Sequence, residues 1–180
     1  HNALSALTLG DNNTAIGYNA LTSGTSATEN TIVGSLAGDA LVGGGSNTIV
    51  GAHAGGQTTA VGKTVIIGAE AGESVMEATA DGTVAVGYEA LKGLTSGAGS
   101  VAVGYRALKA QTTGASNTAI GYQSMLVANH ADADQNTCVG YISGNAISSG
   151  QKNTLIGNEA GCTRLTTGDK NTAVGAETLG

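Results

Sequence analysis

The chain contains no proline, phenylalanine or tryptophan, and five tyrosines supply all of its Phe, Trp and Tyr content. Without bulky side chains an ordinary spherical core is not expected. Lysine and arginine number only seven in 180 residues, against thirteen Asp and Glu, for a formal charge of −6. So few scattered cations cannot neutralise a row of phosphates, so no nucleic-acid partner is expected. The acidic balance instead supports solubility. Two cysteines, Cys138 and Cys162, make no disulfide framework and lack the spacing of a metal knuckle; both read as small buried hydrophobes. Apolar runs stop after a few residues, as at Val65-Ile66-Ile67, so neither a transmembrane helix nor a signal peptide is expected, and no membrane insertion.

What the chain does have is glycine, 30 of them, and a 41% hydrophobic fraction made mostly of Ala, Val, Ile and Leu. That fraction is too high for disorder, and its small members suit a narrow, stacked interior. A glycine recurs at Gly17, Gly34, Gly51, Gly68, Gly87, Gly104, Gly121, Gly140, Gly157 and Gly175, at intervals of 17 residues with occasional steps of 18 or 19. The whole chain, 1–180, is therefore one repeat domain, and since it opens at His1 we expect it to be a fragment of a longer fibre chain.

Slots are numbered from this glycine. Slot −1 is β-branched in every copy (Ile16, Val33, Val50, Ile67, Val86, Val103, Ile120, Val139, Ile156, Val174), and slot −2 is always apolar. Stiff β-branched rotamers favour strands, so each copy carries one short strand ending at its glycine. One strand per copy, stacked in register, is a parallel β-solenoid of about ten 17-residue turns, an all-β fold. Neighbouring side chains on a strand point to opposite faces, so two successive apolar slots call for cover on both sides. A single roll has one inside. The economical cover for the other side is a further copy of the chain about a symmetry axis.

Slots −4 and −3 read Asn-Thr in seven copies and hydroxyl-Val in three, Thr64-Val65, Thr83-Val84 and Ser100-Val101. Stacked Asn or hydroxyl groups form an axial hydrogen-bond ladder. After the glycine come two flavours, Tyr-x-Ala-Leu as at Tyr18 to Leu21 and small-x-Ala-Gly as at Ser35 to Gly38. The Tyr and Leu are expected to pack together as a cover over the roll rather than to form a sugar-stacking ladder. Slot −7 is small in nearly every copy, which reads as a tight turn, often with φ > 0.

Two intervals of 19 residues place longer loops at one phase of the repeat, 73–82 and 126–135, and both are expected to project from one side of the rod. Their acidic and imidazole residues, Glu73, Glu77, Asp81, His130, Asp132 and Asp134, are the candidates for facing a receptor. The alternation His130, Asp132, Asp134, Asn136 resembles the start of a calcium loop, but the central Gly and distal Glu of such a loop are missing, so a solvated loop is favoured over a metal site. Gly56 to Thr64 comes close to a phosphate-binding loop with its first glycine one residue misplaced and no helix to follow; the repeat frame accounts for Lys63 and Thr64. His53 sits in a variable slot and reads as surface. No catalytic triad and no paired carboxylates in a cleft can be assembled, so neither an enzyme nor a bound cofactor is expected. An ice-binding solenoid, suggested by the recurring Thr, is disfavoured by the Val substitutions and by the burial expected of the strand.

Thr83-Val84-Ala85-Val86-Gly87 and Ser100-Val101-Ala102-Val103-Gly104 resemble the head repeats of trimeric autotransporter adhesins. The Asn-Thr-Ala-Ile-Gly-Tyr-x-Ala-Leu copies, Asn13 to Leu21 and in variant form Asn117 to Met125, resemble the repeats of phage and other viral fibre proteins. The 17-residue period is longer than that usual in the bacterial heads and favours the viral comparison. The resemblance implies a left-handed parallel β-roll in a homotrimer, flanked by neighbouring fibre segments and displayed on a virion or cell surface, where it meets a host glycan or protein receptor. The expected function is a structural and adhesive shaft segment of a virion fibre in host attachment; the alternative is the head of a bacterial trimeric surface adhesin.

Overall fold

The computed structural model describes residues 2–128, 133–163 and 167–179. Ten three-residue strands stack in sequence order into one parallel sheet: β1 Thr14–Ile16, β2 Thr31–Val33, β3 Thr48–Val50, β4 Val65–Ile67, β5 Val84–Val86, β6 Val101–Val103, β7 Thr118–Ile120, β8 Thr137–Val139, β9 Thr154–Ile156 and β10 Thr172–Val174. Every pairing matches equivalent slots, as in Ala102 with Ala119 and Val103 with Ile120. The fold is the expected all-β parallel solenoid, and its only helical turn among the described residues is a 3₁₀ turn at Ala78–Ala80.

The ladder extends past the strands around the corner of each coil. The repeating glycine donates to slot −1 of the coil before, as Gly104 N does to Val86 O at 2.8 Å, and slot +2 donates to slot +1 of the coil before, as Arg106 N does to Tyr88 O at 2.9 Å. Aiming successive amides along the axis requires left-handed backbone. Slots −5, +2 and +4 accordingly hold positive φ in coil after coil, even where the residue is not glycine: Ser116 at 57°, Arg106 at 57°, Leu108 at 51°. Each such L-residue costs about 1–2 kcal/mol, which the axial hydrogen bonds offset. The repeating glycine itself has φ between 131° and 144°, and a Cβ on Gly104 would stand 2.3 Å from Gly121 O. No other residue fits there.

The asparagine ladder is present and closes on itself. The Asn30 backbone N–H and Nδ2 both donate to Asn13 Oδ1, at 3.1 and 3.0 Å, and Nδ2 donates again to Gly44 O at 3.0 Å. The same pattern runs through Asn136 and Asn153, where Nδ2 of Asn153 reaches Gly168 O at 2.8 Å. That carbonyl belongs to slot −7. The slot is small because coils approach closely there, with a Cβ on Gly10 falling 1.8 Å from Ala27 O and one on Gly150 falling 2.4 Å from Gly168 O. The expected positive φ is found in this slot only at Gly97, so crowding rather than handedness selects its small residues.

Slot −2 points inward and is fully buried in β2 through β9, while slots −3 and −1 point outward and are half-buried or exposed. Inside, slot −2 faces slot +4 of its own coil, and their volumes answer each other without exception. Ala15, Ala85, Ala102, Ala119 and Ala173 go with Leu21, Leu91, Leu108, Met125 and Leu179; Ile32, Ile49, Ile66, Cys138 and Leu155 go with Gly38, Gly55, Gly72, Gly144 and Gly161. The contact is direct, since a Cβ on Gly38 would lie 3.1 Å from Ile32 Cδ1 and one on Gly161 would lie 2.6 Å from Leu155 Cδ1. The partner of the slot +4 leucine is therefore the inward alanine. The tyrosines pack elsewhere, which explains why Tyr141 lacks a leucine and Leu179 lacks a tyrosine.

This pairing predicts a coupled pair of substitutions. Ile32→Ala opens a cavity and should cost about 2–5 kcal/mol, and Gly38→Leu overpacks the same space at about 1–3 kcal/mol. Combined, they reproduce the arrangement of Ala15 and Leu21, so denaturant unfolding should show the double variant more stable than the sum of the singles by about 1 kcal/mol or more.

Candidate interaction surface

The outward face of the sheet is formed by two columns parallel to the axis. Slot −1 is an unbroken column of Val and Ile, with Ile67, Ile120 and Ile156 between 37 and 39% exposed even though each has strand neighbours on both sides. Slot −3 is Thr in seven coils and Val in coils 4, 5 and 6, as Val65, Val84 and Val101. A third column begins two residues beyond the strand. Tyr88, Tyr105, Tyr122 and Tyr141 stack ring on ring, with centroids 5.5, 5.1 and 5.3 Å apart and planes within 20° of parallel. The solenoid rise places equivalent rings at stacking distance, so the rings cover one another's faces and present edges and hydroxyls to solvent. A sugar ring cannot lie between these four rings; Tyr18 stands outside the stack and is exposed.

Arg106 in slot +2 lies with its guanidinium carbon 4.9 Å from the Tyr105 centroid and 6.0 Å from that of Tyr88. Its Nε donates to Glu89 Oε2 at 2.6 Å, an oxygen that also accepts from Lys109 Nζ at 2.8 Å. Lys92 Nζ completes the cluster, at 2.5 Å from Glu70, 2.9 Å from Glu73 and 3.3 Å from Glu89. All ion pairs found among the described residues belong to this one network in coils 4 to 6. Burial alone would push the Glu89 carboxyl up; hydrogen bonds from Lys109, Arg106 and Lys92 outweigh it and hold the group down at about 2. Hydrogen bonds to Glu70 and Glu73 hold the Lys92 ammonium well above the ordinary lysine value.

Of the loop residues singled out from the sequence, Glu73 belongs to this network through Lys92. Glu77 is exposed at the start of the 3₁₀ turn, with its backbone N–H donating to Thr95 O at 3.1 Å. Asp81 accepts from the backbone N–H of Gly62 at 2.7 Å, and Asp134 accepts from that of Ala115 at 2.6 Å. Asp169 does the same for Gln151 at 2.8 Å. These three aspartates share slot −6, where each holds an amide of the coil before. The first loop is also anchored from within, since Met76 and Ala80 are fully buried. His130 and Asp132 lie outside the described residues. Among the described residues no group of three His, Cys, Asp or Glu side chains could hold a metal ion, and no helix is long and apolar enough to cross a membrane.

The near phosphate-binding loop is committed to the ladder: Thr64 is buried, and its N–H and Oγ1 donate to Asn47 Oδ1 at 3.1 and 2.7 Å. Cys138 is buried and its thiol is pushed up to about 12 by that burial, the behaviour of an inert filler. The residues that sequence reasoning missed are Glu70, Glu89, Lys92, Arg106 and Lys109. Their signal lies in the repeat frame, where slots +2 and +5 carry opposite charges in coils that stack. Comparison with known protein families, curated proteins and solved structures finds no match to the chain, so the functional reading rests on this geometry.

A carboxyl held below its ordinary value of 4.5 contributes stability that is complete above that value and is lost as pH falls toward about 2. The thermal midpoint of the protein should therefore drop across that window. In Glu89→Gln, which has no charge to lose, the drop should be shallower, and thermal scans at stepped pH measure the difference.

Proposed function

We infer that this chain is a structural and adhesive shaft segment of a virion fibre, of a phage tail or capsid, that takes part in host attachment as a homotrimer. The observation that carries this reading is the outward column of Val and Ile, which runs the length of the sheet on the side away from the chain's own interior. With strands about 4.8 Å apart and two residue steps of about 3.3 Å across, the face is about 45 Å by about 7 Å. Each copy contributes one such face, and three copies about a common axis bring their faces together along it. Closed three-fold symmetry also sets the copies parallel and in register, so that like coils meet.

A shaft of this kind gives reach and stiffness through its continuous ladder, and its specificity lies in loops and neighbouring fibre segments, which meet a host glycan or protein receptor. Such a protein works at a virion or cell surface. The Ser-Val-Ala-Val-Gly coil at Ser100 to Gly104 favours a second reading, the head of a bacterial trimeric surface adhesin, and a membrane-anchor domain in the parent chain would decide for it.

Sedimentation velocity and native mass spectrometry of the folded segment should give three times the mass of the 17.4 kDa chain. A stable monomer at all concentrations would sink the shaft reading.

A further inference from the structure

Coils 4 to 6 differ from the rest of the rod in slots −4 and −3, which change together, and in their ion pairs, and they carry half of the tyrosine stack. The asparagine ladder is interrupted there: Thr83 Oγ1 turns back to Ala80 O of its own coil at 2.7 Å, Ser100 Oγ accepts from Gln111 and Asn117, and no side-chain rung links Thr64, Thr83 and Ser100 to one another. The outward face loses every hydroxyl of slot −3, leaving Val65, Val84 and Val101 beside Ile67, Val86 and Val103. Two of the stacked tyrosines, Tyr88 and Tyr105, flank this block, with Arg106 over Tyr105. The ion network lies in the same coils, three carboxylates against three cations.

We propose that coils 4 to 6 are the anchoring centre of the contact between copies of this chain, with Val84, Val86, Val101, Val103, Tyr88 and Tyr105 as its hot spot. The proposal rests on the self-association inferred above and specifies where its energy resides. Interface cores are apolar, and binding energy within them concentrates in a few side chains, Tyr and Arg among the commonest, ringed by polar groups that exclude water. These coils have that composition. Here the chain gives up internal rungs where its outer surface is most apolar, so burial against a partner replaces stabilisation that the single roll has lost.

An identical copy suits the surface electrostatically. The whole chain carries −6, yet Glu70, Glu73 and Glu89 are balanced locally by Lys92, Arg106 and Lys109, so like blocks can approach without like-charge repulsion. The covariation of slots −4 and −3 follows: Asn-Thr marks coils that hold themselves through the inner ladder, and hydroxyl-Val marks coils held from outside.

The test uses the repeat's own alternatives. Thr83→Asn with Val84→Thr, together with Ser100→Asn and Val101→Thr, gives coils 5 and 6 the pairs found in seven other coils; Tyr88→Ser with Tyr105→Ser places there the residue found at Ser35. Circular dichroism should show both variants folded. The chain concentration at which half of the oligomer dissociates, or the urea midpoint where dilution is not enough, should indicate affinity weakened by about tenfold or more for each. Ile156→Thr, a like loss in coil 9, should weaken it less. If the first variant does not fold, Val84→Thr with Val101→Thr alone reads the same quantity. Wild-type affinity in the folded central variants, or an equal or larger loss from Ile156→Thr, overturns the proposal while leaving the shaft intact; a monomeric wild type removes both.

Discussion

Most amides in this molecule find their acceptor one strand spacing away along a single axis, in a neighbouring coil, while others close turns within their own coil, as Ala107 N does to Gly104 O at 3.3 Å. That constraint precedes the hydrophobic interior. It fixes the glycine at the end of each strand, where φ near 138° and the carbonyl of the next glycine leave no room for a Cβ. It also accounts for the three left-handed slots per coil and for leucines and a methionine tolerated at φ near 50°. Helix or strand propensity is a secondary matter in a chain whose strands are three residues long. A solenoid of this width is held chiefly by parallel rungs, and the thin core fills what the rungs enclose.

The repeat, the strand ending at each glycine and the asparagine ladder were legible in the sequence because each is a single slot read down the chain. Relations between slots were harder to see. The inward residue before the glycine and the residue four beyond it are distant on an extended chain and meet only when the coil closes, so the leucine was assigned to the tyrosine of its own flavour rather than to the opposing alanine. The small residues of slot −7 point, on sequence alone, to handedness, since steric crowding from the next coil has no local signature. Asp81 and Asp134 looked like free acidic groups in long loops. Their carboxylates hold amides of the coil before, and the shared slot with Asp169 is visible only once 19-residue and 18-residue coils are laid on the same frame.

The candidate surface was legible in outline and not in detail. Two consecutive apolar slots announced an outward face in need of cover, and the three hydroxyl-Val coils were plain in the sequence. What joined them to a site was the third dimension, which brings Glu89 within reach of Lys92, Arg106 and Lys109, residues 3, 17 and 20 positions away. The tyrosines changed meaning most. Four of the five, separated by one coil each, form a stack whose inner faces are mutually covered and whose edges are left for a partner.

The compensation between the inward slot and slot +4 has a consequence for how such a chain can change. Because nearly every coil balances its own interior volume, with the Cys138 and Gly144 coil also filled by Met125 of the coil before, most coils can be duplicated, deleted or exchanged with another without leaving a void in their neighbours. Length then changes in whole steps of about 4.8 Å, set by the number of repeats encoded rather than by any property of the fold. The rod is a ruler whose graduations are 17-residue units, and reach is a quantity that the gene counts.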